Sequence, residues 1–287
     1  MEQLSEYLSQ ARTEGRAVGH FNFSTADVLR AIVEGARSAG ATSVMVGTSE
    51  GEAGFIGFAE AVALVKTMRE EFDFPIFLNA DHFKSFELCK EAIDAGYDSV
   101  LIDGSRLPLA DNIELTQRVV HYARSISKKL SIEGELGYLR GSSEVQEKVE
   151  IGPEDYTKPE EAAEFVRETG VDRLAVVFGN IHGIVTEQEE KLDIAHLEKI
   201  AKAIPETFLI LHGASGLSDA DISSAIKAGI VNVHFNTELR IAYTEAIEEA
   251  MHPTPGGEHE TAPHKYLAPA AEEVKKIVIE KTKLFVR

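Results

Sequence analysis

Residues Glu91–Asp103 read EAIDAGYDSVLID: a helical run, a glycine, and then a short apolar stretch that ends in an acid. A glycine there can close a helix in the left-handed conformation, and the Val/Leu/Ile-rich run that follows reads as a strand. The same phrase recurs as VRETGVDRLAVVF (166–178), AIKAGIVNVHF (225–235) and, more loosely, ARSAGATSVMVG (36–47). Each copy is the αβ half of a βαβ unit. Because the strand-like runs are apolar nearly throughout rather than alternating, they suit parallel strands covered by helices. Working outward gives eight strand candidates, at 17–23, 42–49, 74–82, 98–105, 130–137, 173–180, 207–215 and 231–238. Eight βα units in about 250 residues predict an α/β fold of the (β/α)8 TIM-barrel type, closed by right-handed crossovers. A doubly wound open sheet fits less well. No GxGxxG follows the first strand, and polar residues end nearly every strand instead of gathering at one switch point. The expected organisation is one barrel domain over 1–287. Its polar, aperiodic stretch at 138–158 is expected to form a mobile active-site loop, and a C-terminal helix is expected over about 267–285.

The bulk numbers narrow the function classes. The 287 residues are 44% hydrophobic and 27% charged, with a formal net charge of −19 and ten histidines. That charge opposes contact with nucleic-acid backbones and anionic lipid, so neither nucleic acid nor membrane is an expected partner. A small phosphorylated ligand remains compatible, because backbone N–H groups at helix N-termini bind phosphate without a basic surface. No apolar run is long enough to span a bilayer, and the polar N-terminus does not read as a signal peptide, which predicts a cytoplasmic protein. The one cysteine, Cys89, falls at a helical core position and reads as inert packing.

In such barrels the C-terminal ends of the strands line the active site. Here they carry Asp81-His82, Asp103-Gly104-Ser105, Glu133-Gly134-Glu135, Asn180-Ile181-His182-Gly183, His212-Gly213-Ala214-Ser215 and His234-Phe235-Asn236-Thr237. One buried histidine is ordinarily a hydrogen-bonded core residue. Three in register, His82, His182 and His212, each beside a glycine or an acid, point instead to a catalytic zinc site with one open position. Asp103, Glu133 and Glu135 read either as partners that orient those imidazoles or as ligands of a second divalent position. The turn HGASGLSDADI (212–222) reads as a phosphate cradle, with Gly213, Ser215 and Gly216 ahead of a helix capped by Ser218 or Asp219.

With these residues in place, LNADH, IDGSRLPLADNI, IEGELG, GNIHG, LHGASG and NTELRIAY, in that order from about Phe21 to Tyr266, resemble the class II, metal-dependent ketose-bisphosphate aldolases. Fructose- and tagatose-bisphosphate aldolases are members of that family. The resemblance implies a zinc enzyme, with a second divalent position and a monovalent cation as candidate helper. Its expected reaction is the reversible cleavage of a ketose 1,6-bisphosphate to dihydroxyacetone phosphate and glyceraldehyde 3-phosphate, fructose being favoured over tagatose. It further implies His82, His182 and His212 as zinc ligands, Asp81 as acid/base at the C4 hydroxyl, and Asp103 and Glu135 at the second metal position. Gly183, Gly213, Ser215 and Thr237 would cradle the phosphate of the dihydroxyacetone half, with Asn22 and Ser49 reaching into the pocket. A homodimer or larger assembly is implied, with the C-terminal helix across an interface.

The pattern departs from the family in three places. His234 stands where many relatives have an Asn that contacts the ketose carbonyl, and Asn236 also replaces a more usual type. The loop acid is displaced, leaving Glu144, with Glu147 as competitor, to exchange the carbanion proton. Ala262-Pro263-His264 replaces a family Asp-Pro-Arg, so His264 or Lys265 would hold the second phosphate. Rival readings are a Schiff-base aldolase, for which no strand ends in a lysine, a metal-dependent hydrolase, and a non-catalytic barrel that binds ligands.

Overall fold

The computed structural model describes residues 3–188, 190–251 and 260–286. Its strands are β1 (Val18–Asn22), β2 (Val44–Thr48), β3 (Ile76–Phe83), β4 (Ser99–Ile102), β5 (Ser131–Leu136), β6 (Gly141–Gln146), β7 (Arg173–Val176), β8 (His182–Val185), β9 (Phe208–Leu211) and β10 (Ile230–Phe235). Eight of them close a parallel barrel in the order β1-β10-β9-β7-β5-β4-β3-β2. Interleaved are α1 (Leu4–Glu14), α2 (Ala26–Ser38), α3 (Glu50–Ile56), α4 (Phe58–Phe72), α5 (Phe86–Ala95) and α6 (Leu109–Ile126). They are followed by α7 (Pro159–Thr169), α8 (Ile194–Ala203), α9 (Asp219–Lys227), α10 (Thr237–Met251) and α11 (Pro263–Phe285). The chain therefore folds as a (β/α)8 TIM barrel, as its repeated phrase predicts. Most strands stop earlier than the apolar runs suggest, because the polar residues after them have turned into loops at the barrel mouth.

Local chemistry explains the units. Ser85 caps α5 by accepting from the Leu88 N–H at 3.2 Å. That helix then ends at Gly96, whose φ of 105° only glycine adopts without strain, and whose N–H bonds the Ala92 and Ile93 carbonyls. Outward-facing strand residues such as Val100, Ile132 and Leu174 meet helix residues such as Ile32 and Phe165 in one continuous core. A separate cluster closes the barrel floor, where Leu4, Leu8 and Ala11 of α1 plug against Val18, Met45, Phe77 and Ile210. Burying one such leucine contributes about 1.5–3 kcal/mol.

Two segments differ from the sequence reading. The stretch 138–158 holds β6, which pairs in parallel with β8 through Gly141–His182 and Val145–Ile184. β6 is polar and largely exposed, and β8 is only four residues long, so no apolar period announces them. Helix α11 starts at Pro263, ahead of the expected position, and its apolar face lies on its own barrel. Val278 packs against Gly35 of α2, and the Ala17 N–H donates to the Phe285 carbonyl at 3.2 Å. That face is covered within the chain. Among the described residues no helix is long and apolar enough to cross a membrane. Cys89 is buried and free, its thiol pushed up by burial, which keeps it unreactive.

Candidate active site

The adjacency of Asp81 and His82 has a backbone cause. Successive side chains of a regular strand face opposite sides, so one of the two should point into the outer core. Instead the β3–β4 register slips between Ala80 and Phe83, and His82 takes a φ of 54°, a left-handed conformation rare for a residue with a side chain. This bulge turns both groups towards the barrel mouth.

Three imidazoles meet there. His82 Nε2 lies 2.9 Å from His212 Nδ1 and 3.3 Å from His182 Nε2, with ring planes crossing at 74° and 80°. Lone pairs facing one another so closely repel unless a cation or proton sits between them. Nitrogens bound tetrahedrally to zinc at about 2.0–2.1 Å stand roughly 3.3 Å apart, so the spacing fits that ion. Each ring's other nitrogen supports the arrangement in two of the three cases. His82 Nδ1 is 3.0 Å from Glu135 Oε2 and 3.4 Å from Asp103 Oδ2, and His212 Nε2 is 2.7 Å from Glu133 Oε1. The carboxylates thereby select the tautomer that leaves the converging nitrogens unprotonated. His82, Asp103 and Glu135 form a second group with metal-ligand spacing.

Electrostatics set His182 and His82 apart. Burial pushes the His182 imidazole down to about 3, with His82 and His212 adding to the effect, so it is neutral and available as a ligand. Burial resists charging His82, but Glu135, Asp81 and Asp103 together outweigh it and push its pKa up. Burial likewise opposes ionising Asp81, yet His82, His234 and His20 hold the carboxyl well below its ordinary range. Asp81 therefore stays a carboxylate, a base in waiting. Its Oδ2 accepts from Asn22 Nδ2 at 3.1 Å and its Oδ1 lies 3.3 Å from His234 Nδ1. Glu135 moves the other way, raised by burial and by Asp103 against the pull of His82.

A cleft opens over these groups. It is lined by Asn22, Asp81, His82, His182, His212 and His234, and along its far wall by Ser143, Gly183, Gly213, Ser215, Asn236 and Thr237. Thr237 is the first residue of α10, and Ser218 is the cap of α9, accepting from the Asp221 N–H at 3.1 Å. Other expected residues lie elsewhere. Ser49 caps α3 in a reciprocal pair with Glu52. Glu144 and Glu147 are exposed, and neither lines the cleft. His264 and Lys265 sit exposed at the start of α11, where Lys265 pairs with Glu260. Among the described residues Lys281 is the buried lysine, on α11 and paired with Glu238, so no lysine enters the barrel. Four groups near the site escaped the sequence reading. Glu52 accepts from Asn22 Nδ2 at 3.0 Å, while His20, Asn79 and Arg173 lie buried in the lumen beneath Asp81 and Glu133. A charged or amide side chain inside an apolar strand was the available signal for the last two.

Comparison with known proteins agrees with this geometry. The family model for fructose-bisphosphate aldolase class-II matches residues 2–287. A fructose-bisphosphate aldolase of Staphylococcus epidermidis is 36% identical over 287 residues, covering 98% of this chain and 96% of that one. A probable fructose-bisphosphate aldolase of Bacillus subtilis matches with the same identity and coverage. Among solved structures, the YdjI aldolase of Escherichia coli K12 superposes with a TM-score of 0.83 at 29% identity, over 100% of this chain and 97% of that one. The chain thus belongs to the class II fructose-bisphosphate aldolase family, and is an aldolase, a carbon–carbon lyase.

Proposed function

We propose that this aldolase uses zinc to cleave fructose 1,6-bisphosphate reversibly into dihydroxyacetone phosphate and glyceraldehyde 3-phosphate. The observation that carries the reading is the approach of His212 Nδ1 and His182 Nε2 to within 2.9 and 3.3 Å of His82 Nε2, beside an ionised, buried Asp81. His82, His182 and His212 would hold the ion, with His82, Asp103 and Glu135 as a second position. When bound, the ion supplies Lewis acidity that stabilises negative charge developing on the ketose half, worth several kcal/mol without a Schiff base.

The chain's own residues do the rest. Asp81 takes the proton of the C4 hydroxyl, the C3–C4 bond breaks, and C4 leaves as the aldehyde carbon while the electron pair stays with the dihydroxyacetone half. Asn22, anchored between Glu52 and Asp81, keeps the base aimed into the cleft. Gly183, Gly213, Ser215 and Thr237 bind the phosphate nearest the ketose carbonyl, and His234 of β10 and Asn236 just after it face the sugar. Proton exchange at the carbanion carbon falls to Glu144 or Glu147, carried inward by movement of the 138–158 segment within a single barrel domain. Cytoplasmic location, assembly into a homo-oligomer, and a weak grip by His264 on the distal phosphate complete the reading.

The test is metal analysis of the purified protein joined to a cleavage assay with fructose and tagatose 1,6-bisphosphates. We expect zinc to co-purify, chelation to abolish cleavage, and the fructose epimer to be the better substrate. A preference for tagatose would reassign the substrate, and cleavage undiminished by chelators would defeat the mechanism.

A further inference from the structure

The barrel lumen contains a cation that the reaction above leaves without a role. Arg173, at the start of β7, is the largest side chain with no solvent exposure among the described residues. Such interiors are ordinarily filled by branched apolar residues, and an unpaired charge there is prohibitively costly. Each guanidinium nitrogen is engaged. Nε donates to Ser131 Oγ at 3.1 Å, Nη1 lies 2.6 Å from Glu133 Oε2, and Nη2 donates to Asn79 Oδ1 at 3.2 Å.

Two chains of contacts leave this hub. Through Glu133 the first reaches His212, whose Nε2 is fixed at 2.7 Å while Nδ1 turns to the other imidazoles. The second runs through Asn79. Its carbonyl oxygen is held by Arg173 and by the Ser99 hydroxyl at 2.6 Å, so its amide N–H faces His20 Nε2, 3.2 Å away. His20 is thereby an acceptor at Nε2 and carries its proton on Nδ1. Its ring lies flat on His234, 3.6 Å between centroids and 5° between planes. Room for that ring exists because residue 47 is glycine: a Cβ there would stand 2.3 Å from His20 Cε1. His234 in turn is tethered at Nε2 by Asn232 Oδ1, 2.8 Å away, and presents Nδ1 to Asp81. His20, Asp81 and His234 crowd within 4.8 Å of one another.

We propose that Arg173 is a positioning residue that sets the two halves of the site in register, holding His212 through Glu133 and the His234–Asp81 pair through Asn79 and His20. The inference rests on His212 as a metal ligand and Asp81 as the proton acceptor. A guanidinium suits the task because its rigid planar fork fixes the angle between the two arms, whereas a lysine ammonium could serve only one.

The experiment compares Arg173→Met, Arg173→Lys and Asn79→Ala with the wild-type enzyme, each first checked for folding by thermal unfolding. Zinc affinity is read by competition with a chromophoric chelator, and kcat and KM are read at saturating zinc. Arg173→Met should bind zinc about 10–100-fold more weakly, the usual penalty for losing a group that orients a ligand. At saturating zinc it should still lose about tenfold or more in kcat with KM little changed, the pattern of an interaction used in the transition state. Arg173→Lys should recover zinc affinity through Glu133 but not kcat, and Asn79→Ala should lower kcat while binding zinc normally. A folded Arg173→Met enzyme with wild-type zinc affinity and kcat would reduce Arg173 to a stability role and overturn the proposal. If that variant does not fold, an Asn79→Ala enzyme with undiminished kcat overturns it. A protein that binds zinc yet cleaves neither bisphosphate defeats the proposed function instead, and the zinc affinity of Arg173→Met then decides this inference on its own.

Discussion

The two sides of one barrel wall are built from opposite chemistry. Outside, β-strand residues such as Val100, Ile132 and Leu174 meet the helices in an apolar core. Inside, above the floor plugged by α1, the lumen holds His20, Asn79, Ser99, Ser131, Glu133, Arg173, Asn232 and His234, all buried. Since strand side chains alternate, neighbouring residues serve the two purposes: Val100 packs outward beside Ser99, and Leu174 beside Arg173. The outer face can hold the fold by area alone, which is non-directional and tolerant. The inner face must satisfy every polar group by a specific partner, because a half-paired buried network is worse than an apolar one. The difference teaches that this barrel draws its stability from the shell, while the lumen sacrifices some of it to hold reactive groups still.

The comparison can be broken most decisively at the ligands. His212→Ala should abolish both tight zinc binding and cleavage while the protein remains folded, checked by metal analysis, turnover and circular dichroism; a zinc-replete, active variant would dissolve the lumen side of the contrast. Asp81→Asn should keep the metal yet reduce kcat by about 10²–10⁴-fold, the range for loss of a general base. On the outer side, Phe165→Ala should cost about 3–5 kcal/mol in denaturant unfolding, and kcat per folded molecule should stay unchanged. Activity loss in that variant at full folding would mean that the two sides are not separable.

Glu190 sharpens the contrast through pH. Burial, with help from Asp221, pushes its carboxyl up to about 8 against the hydrogen bond from the Ile181 N–H. A folded pKa above the unfolded value means that the folded state binds the proton more tightly. The associated stability is therefore complete below the ordinary glutamate range and is lost as pH rises towards 8. Glu190→Gln should flatten that decline and unfold at a higher temperature than wild type near pH 8; identical pH profiles would remove Glu190 from consideration. The smallest effect should come from Ser218→Ala, which deletes the cap of α9 and should cost about 1 kcal/mol by thermal unfolding.

Much of this was legible in one dimension because it depends on local periodicity. Gly96 ends a helix and Ser99 begins a strand for reasons contained within a few residues, and the same logic, repeated, yields eight strands and hence a barrel. The convergence of His82, His182 and His212 followed from topology, since strand ends of a parallel barrel share one rim. The β6–β8 pairing escaped because β6 is polar and exposed, β8 is only four residues long, and the two strands pair across 39 or more residues. Glu144 escaped in another way: its position in the loop could be read, whereas its direction depends on how β6 lies along β8.

Composition and spacing alone thus determined the number of barrel strands, the closure of the sheet, and which residue types gather at its mouth, because hydrophobic period and turn chemistry act over short range. Tertiary structure alone decided the bulge that turns Asp81 and His82 to one side, the fork of Arg173 between Glu133 and Asn79, and the stacking of His20 on His234. Those features arise from distances and angles between strands far apart in the chain. Directional, buried interactions are set by that geometry, and no local pattern of residues encodes it.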